Sequence, residues 1–343
     1  MKKHLNTLFV LTQGAYLAKE NETLVVKVED EVKIRLPILT LQGVVCFGQV
    51  SLSPRAMGFC CERGVLVSFL SEQGRFLARV VGPTTGNVLL RREQYRRSER
   101  LDGALEIARP IVAAKIANAN TVLLRSTRDR PDSDAAGTIA AASRRLSQLL
   151  GETGRMAELD ALRGVEGLAA RIYFDVFDQL ISQQKESFRF EARSRRPPLD
   201  RVNALLSFVY TLLVHDVQSA IESVGLDPAV GFLHRDRPGR PSLALDLMEE
   251  LRPWFADRIV LSLINLRQIG PGDFHETESG AVLLTDDGRK TLLTAYQARK
   301  QEELIHPFLG EKTTIGLVPH LQALLLTRHL RGDLDGYPPF VWK

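Results

Sequence analysis

The sequence predicts an α+β protein of two domains: a β-sandwich-like domain over residues 1–87, then a larger, mainly α-helical domain over residues 88–343. Three observations carry this reading. A chain of 343 residues is longer than one hydrophobic core usually serves. Short runs of Val, Leu and Thr, punctuated by glycine, fill the first part of the chain. From residue 88 onward the apolar period lengthens from two to about 3.6. With 44% hydrophobic and 25% charged residues, the composition excludes a disordered, collagen-like or coiled-coil chain.

The strands follow in order. Leu5–Thr12, Ala15–Lys19 and Thr23–Val28 are the first apolar runs, with Asn21-Glu22 as the turn between the last two. Val32–Leu36 alternates Val, Lys, Ile, Arg, Leu, the pattern of a half-buried strand. Leu39–Phe47 and Val65–Leu70 are further strands, separated by a short helix over residues 55–63. In the second domain, residues 109–125 read as a helix that Pro110 would open. Residues 137–150, 157–181, 201–223, 242–256 and 258–267 also read as helices. Asp286-Asp287-Gly288, lying between Ala281–Thr285 and Lys290–Leu293, predicts a small β-hairpin near residues 281–293.

Charge is more telling by position than in total. The net charge is only +4, but arginine is concentrated at 91–100 (RREQYRRSER), 185–201 (KESFRFEARSRRPPLDR) and 235–240 (RDRPGR). Guanidinium groups fit phosphate oxygens in bidentate pairs, so three such clusters point to a polyanionic partner. Cys46, Cys60 and Cys61 have no metal or disulfide spacing. No secretory leader precedes the first strand, and no uninterrupted apolar run approaches the roughly 18 residues of a bilayer span. A cytoplasmic protein with reduced thiols and no membrane partner is expected.

The sequence has no HExxH, CxxC pair, GxSxG or GxxxxGK motif, which removes zincin, serine-hydrolase and P-loop chemistry from consideration. Three features break local rules. Glu166 lies in GVEGLAARIYFDVFDQLI with Ala169, Ala170 and Tyr173 on its own face, where a carboxylate needs a cation, hydrogen bonds or a helix N-terminus. Asp246 and Glu249 sit three apart in SLALDLMEELRPWF, with Ser242 as N-cap, and repel each other unless a cation bridges them or solvent screens them. His234, in GFLHRDRPGRPS, opens a loop too rich in Gly, Pro and Arg to be helical. Each has an ordinary structural reading. Together, two or three carboxylates and one imidazole match a divalent Mg²⁺ or Mn²⁺ site able to act on a phosphodiester.

These residues carry a family resemblance. Lys115-Ile116 with Asn118, Glu166-Gly167 with Arg171-Ile172-Tyr173, Gly225-Leu226-Asp227-Pro228, Gly231-Phe232-Leu233-His234 and Asp246-Leu247-Met248-Glu249 with Arg252-Pro253 resemble CRISPR-associated protein one. In the first domain the resemblance runs through Pro37-Ile38, Gly48 and Gly74-Arg75-Phe76, then Gly86-Asn87-Val88, Arg91 and Gln94-Tyr95. Where that family's helix commonly has Gln after Asn118, this chain has Ala119.

The resemblance implies a β-sandwich followed by a helical catalytic domain, and a metal-dependent DNA endonuclease and integrase of the CRISPR adaptation module. Such an enzyme inserts spacer DNA into the CRISPR array by 3′-hydroxyl strand transfer and acts on double-stranded and branched DNA. A type I system is implied for its origin. The implied partners are double-stranded DNA (protospacer and repeat), a second copy of the chain, and CRISPR-associated protein two. The implied ligands of Mn²⁺ or Mg²⁺ are Glu166, His234 and Glu249, with Asp246 as an accessory acid; whether Asp246 or Glu249 makes the primary bond stays open, as does a proton-shuttle role for His234. Arg171, Arg189, Arg193, Arg235, Arg237 and Arg240 are the candidate phosphate contacts. A DNA- or RNA-binding assembly subunit without catalysis and a metal-dependent phosphatase or nuclease of small substrates are the competing classes. The aromatic tail 337–342 (YPPFVW) is expected to be an interface element.

Overall fold

Residues 6–72, 76–83, 88–131, 134–195 and 197–342 are described by the structure, a computed structural model. Two units divide the chain, Met1–Thr85 and Gly86–Lys343. The expected boundary at residue 87 lies outside the described residues, as do Gly74, Arg75, Gly86, Asn87 and Arg196.

In the first unit, eight strands and one helix run in the order β1 (Asn6–Val10), β2 (Tyr16–Glu20), β3 (Thr23–Val28), β4 (Glu31–Pro37), β5 (Leu41–Phe47), β6 (Ser51–Leu52), α1 (Pro54–Glu62), β7 (Leu66–Leu70) and β8 (Phe76–Val80). They form two four-stranded sheets, ordered β1-β5-β7-β8 and β4-β3-β2-β6. Leu17, Leu24 and Val26 from one sheet meet Val44, Cys46 and Val67 from the other in a single core, with Phe59 and Cys60 of α1. This is the expected sandwich, though β1, β5 and β7 run parallel where a hairpin-built sandwich would alternate. The crossover between β5 and β7 is α1, started by Pro54 and by the Ser53 hydroxyl, which accepts the Ala56 amide at 3.1 Å. Asn21 makes its turn in the left-handed region, at φ 53°. Two-residue β6 is too short to show any alternation.

The second unit contains α2 (Val88–Glu99), α3 (Leu101–Asp129), α4 (Ala136–Thr153), α5 (Leu159–Asp175), α6 (Phe177–Leu180), α7 (Arg201–Ser223), α8 (Ser242–Glu249) and α9 (Arg258–Asn265). A π-helical stretch, Arg252–Asp257, joins α8 to α9. The hairpin β9 (Phe274–Glu276) and β10 (Val282–Leu284) then leads to α10 (Asp286–Gln301); a second hairpin, β11 (Glu303–Ile305) and β12 (Lys312–Thr314), leads to α11 (Val318–Leu330). The 29-residue α3 is the axis of this unit: α2, α4, α5, α8 and the π-helical stretch all pack on it.

Four expectations need correction. Asp286-Asp287-Gly288 is the first turn of α10, not a hairpin tip. Thr285 caps it by accepting the Gly288 amide at 3.2 Å, the two aspartates favour the positive helix end, and a Cβ on Gly288 would stand 2.5 Å from the Asp273 carbonyl oxygen. Pro110 lies inside α3, because Ala104, Leu105, Ile107 and Ala108 bury a helical turn ahead of it. That burial offsets the lost amide donor. Ser242 is the first residue of α8 rather than its cap, and its hydroxyl donates to the Arg235 carbonyl at 3.2 Å.

Tail 337–342 is not an exposed surface. Tyr337 and Phe340 are buried, and the Phe340 ring stacks on Trp254 at 4.7 Å. Helix α7 is long and apolar enough to cross a bilayer, but Val202, Leu205, Leu206, Val209, Leu213, Val217 and Ile221 are buried within the protein, and α7 packs on α8 and α11.

Candidate metal centre

Four segments of the second unit deliver the candidate side chains to one place. Helix α5 begins at Leu159, so Glu166 stands two turns inside it and the helix-terminus explanation for its charge fails. Its compensation comes from α3: the Lys115 ammonium forms an ion pair with the Glu166 carboxylate and a second one, at 2.6 Å, with Glu249 Oε2. Glu249, 2% exposed at the end of α8, also pairs through Oε1 with Arg252 at 2.8 Å. The His234 imidazole faces the same Oε1 through Nε2 at 3.9 Å. The three expected ligands thus gather around Lys115 and Glu249, although 68 and 15 positions separate them in sequence.

The loop carrying His234 is held from below and from both sides. Asp246, fully buried on α8, accepts the amides of Phe232 and Leu233 on Oδ2 at 2.6 and 2.9 Å, and the amide of His234 on Oδ1 at 2.9 Å. That Oδ1 also lies 2.7 Å from His234 Nδ1. A carboxylate only accepts, so a hydrogen is placed on Nδ1, and Nε2 is the nitrogen that faces Glu249. The loop passes this close because residue 231 is glycine; a Cβ there would stand 2.8 Å from Asp246 Oδ2. On one side, Arg163 of α5 donates to the Leu233 carbonyl at 2.6 Å. On the other, buried Gln94 of α2 donates to the Asp227 and Val230 carbonyls and accepts the Asp227 amide, while Tyr95 donates to the Asp227 carboxylate at 2.8 Å.

Asp246 and Glu249, which the sequence leaves as equivalent candidates, therefore differ in kind. Asp246 spends both oxygens on the loop and on the back of the imidazole. Glu249 keeps Oε2 without a hydrogen bond of good geometry, engaged only as an ion pair. Burial would raise the Glu249 pKa, but Arg252, Lys115 and His234 hold it below the ordinary 4.5. Burial opposes the charge of Lys115 as well, yet Glu249 and Glu166 raise its pKa above the usual 10.5.

Among the described residues, no three His, Cys, Asp or Glu side chains are drawn close enough to share one ion as they stand. Even so, the donor types fit a hard divalent cation: two carboxylates, one of them buried, and an imidazole nitrogen. A cation already occupies the space between the carboxylates, supplied by Lys115. Sequence reasoning did not single out Lys115 or Arg252 as members of the site. The signal for Lys115 was a lone lysine between Ala114 and Ile116 on an otherwise buried helix face.

The arginines divide. Arg235, Arg237 and Arg240 follow His234 directly; Arg235 is exposed and bidentate to Asp160, at 2.8 and 2.9 Å. Burial first, then the like charges of Arg237, Arg163 and Arg252, lower the Arg240 pKa, marking a positive rim on this loop. Arg171 is exposed on α5, five residues beyond Glu166. Arg189 is exposed beside a surface groove with Asp178, Lys185 and Glu186, apart from this cluster. Arg193 is a correction: it donates to Asn203 and Ser207 and packs over the Tyr210 ring at 5.3 Å, so its guanidinium holds α7 in place.

The chain is similar to known proteins over nearly all of its length. The profile of the family "CRISPR associated protein Cas1" matches residues 8–298. A protein of Chlorobaculum tepidum named CRISPR-associated endonuclease Cas1 1 is 55% identical over 343 residues, covering all of both chains. CRISPR-associated endonuclease Cas1 2 of Rhodospirillum rubrum is 55% identical over 347 residues, again over all of both chains. A solved CAS1 protein from Thermotoga maritima superposes with a TM-score of 0.81 at 26% identity, over 95% of this chain and 97% of that one.

Proposed function

The chain belongs to the Cas1 family, and from that premise we propose that it is a divalent-metal-dependent DNA endonuclease and integrase of CRISPR adaptation, joining spacer DNA to the array by 3′-hydroxyl strand transfer. The observation that supports this reading is that Glu249 is shared: Lys115 bridges it to Glu166 on one oxygen, and the His234 imidazole faces its other oxygen at 3.9 Å.

Glu166, the Nε2 of His234 and Glu249 are the residues that would hold Mn²⁺ or Mg²⁺. When bound, such an ion polarises a phosphodiester and favours in-line attack by a 3′-hydroxyl or water. Asp246 fixes the imidazole tautomer so that Nε2 presents its lone pair, which makes it a positioning residue rather than a ligand. Arg252 fixes the rotamer of Glu249. To Arg171, Arg189, Arg235, Arg237 and Arg240 we assign contacts with phosphate oxygens of double-stranded or branched DNA, contacts that are blind to sequence and weaken with salt. We further assign to the functional unit a homodimer, the companion CRISPR-associated protein two and a cytoplasmic setting, in keeping with the family.

The test is strand transfer into a repeat-bearing duplex with Mn²⁺, comparing the wild type with Glu166→Gln and His234→Asn. Transfer is expected to fall by more than about 100-fold while duplex affinity stays within about twofold. Transfer at the wild-type rate in both variants would falsify the assignment.

A further inference from the structure

We propose that Lys115 is a resident cation that holds the two carboxylates together in the metal-free protein and is displaced when a divalent ion binds. This rests on the metal-site reading above. Glu166 and Glu249 come from different helices, and the Lys115 ammonium bridges them from α3. Without it, two carboxylates on helices that both pack on α3 would face the same space and repel each other, loosening α5 and α8 on that helix. The ammonium therefore does for the apo fold what the ion would do for the loaded one.

Both cations cannot stay. A divalent ion bound by both carboxylates needs Glu249 Oε2, the oxygen that Lys115 now faces at 2.6 Å, and an ammonium at that distance would repel it. Of the two side chains that neutralise Glu249, Lys115 is the one built to leave. Arg252 is a planar guanidinium seated 5.0 Å from the centre of the Tyr210 ring, and Tyr210 is in turn tied to buried Asp257 at 2.6 Å. Lys115 carries its charge on a flexible four-carbon stem. After displacement, Arg252 still neutralises Glu249 Oε1, while Glu166 is freed to bind. Ion and ammonium are then competitors for one position, so each must weaken the other by the same factor.

Two measurements decide this. Calorimetric titration with Mn²⁺ is expected to show binding about tenfold or more tighter in Lys115→Met than in the wild type, while the melting temperature of the metal-free variant falls. In the wild type, mass spectrometry after brief acetylation should show Lys115 modified several-fold faster with saturating Mg²⁺ than without, with the exposed Lys312 as the unchanged internal reference. Equal Mn²⁺ affinity in the two proteins, or a Lys115 acetylation rate indifferent to Mg²⁺, would overturn the proposal. If Lys115→Met does not fold, the wild-type acetylation experiment decides alone. Failure of the wild type to bind Mn²⁺ at all would remove the metal site itself, and this inference with it.

Discussion

Glu249 and Glu250 are neighbours in sequence, both are buried, and they behave oppositely. Glu249 faces Arg252 and Lys115, and these charges keep it ionised against its burial. Glu250 points to the other side of the helix end, into neutral donors: the Tyr337 hydroxyl at 2.6 Å, the Phe340 amide at 2.7 Å and the Gln322 amide at 2.9 Å. There burial wins, and its pKa is pushed up to about 8. Depth therefore does not set the charge of a buried carboxylate; the company it keeps does. One side of a single peptide unit faces charges and the other faces neutral donors.

The harshest way to break this contrast is Glu249→Gln. It strands two buried cations, so a loss of about 3–5 kcal/mol in unfolding free energy is expected, together with a loss of Mn²⁺ affinity beyond about 100-fold. Denaturant titration and calorimetry would read the two effects. Unchanged stability would mean that Arg252 and Lys115 find other partners.

Glu250→Gln sharpens the contrast through pH. An acid whose folded pKa is raised binds its proton more tightly in the native state, so its cost to stability grows as pH rises from 4.5 towards 8. The wild type should lose on the order of 5 kcal/mol across that window, and the glutamine variant should be nearly flat there. Glu249 acts with the opposite sign: its stabilisation is present above 4.5 and is lost as pH falls below it. Thus the substitution at 250 should leave the acid limb intact, and a variant that still shows the neutral-to-alkaline slope would assign that slope elsewhere.

The mildest change is Tyr337→Phe, which removes one buried donor to Glu250. A loss of about 1–2 kcal/mol is expected, with the Mn²⁺ dissociation constant unchanged. A shift in metal affinity would show that the two pockets are mechanically coupled.

Much of this was legible in the sequence, for identifiable reasons. Alternation and glycine spacing located β2, β3, β4 and β7, and α7 matches its expected range of 201–223 because Asp200 caps it, accepting the Asn203 amide, and the apolar period inside it is strong. Glu166, Asp246 and His234 stood out because each sits where a charge or imidazole needs an explanation. What the sequence left open was settled by contacts between distant segments. Asp246 and Glu249 look alike on a helical wheel and are told apart only by the loop that returns over Asp246. Lys115 could be read as a solvated lysine until Glu166 and Glu249 were brought to it. Asp286-Asp287-Gly288 has the composition of a hairpin turn, and the Thr285 cap decides otherwise.

The segment 337–342 has a consequence for how this protein comes into being. Glu250 and Asn118 find their partners in residues 87 to 224 positions further along the chain, through Tyr337, Phe340 and Trp342. A ribosome that has delivered α8 has made every carboxylate of the site but not the wall behind it. Until translation passes residue 342, Glu250 has nothing to bury it and should stay hydrated and charged beside Glu249. A nascent or prematurely stopped chain would therefore hold the parts of a nuclease without its rigid setting, and synthesis itself delays the moment at which the protein can act on DNA.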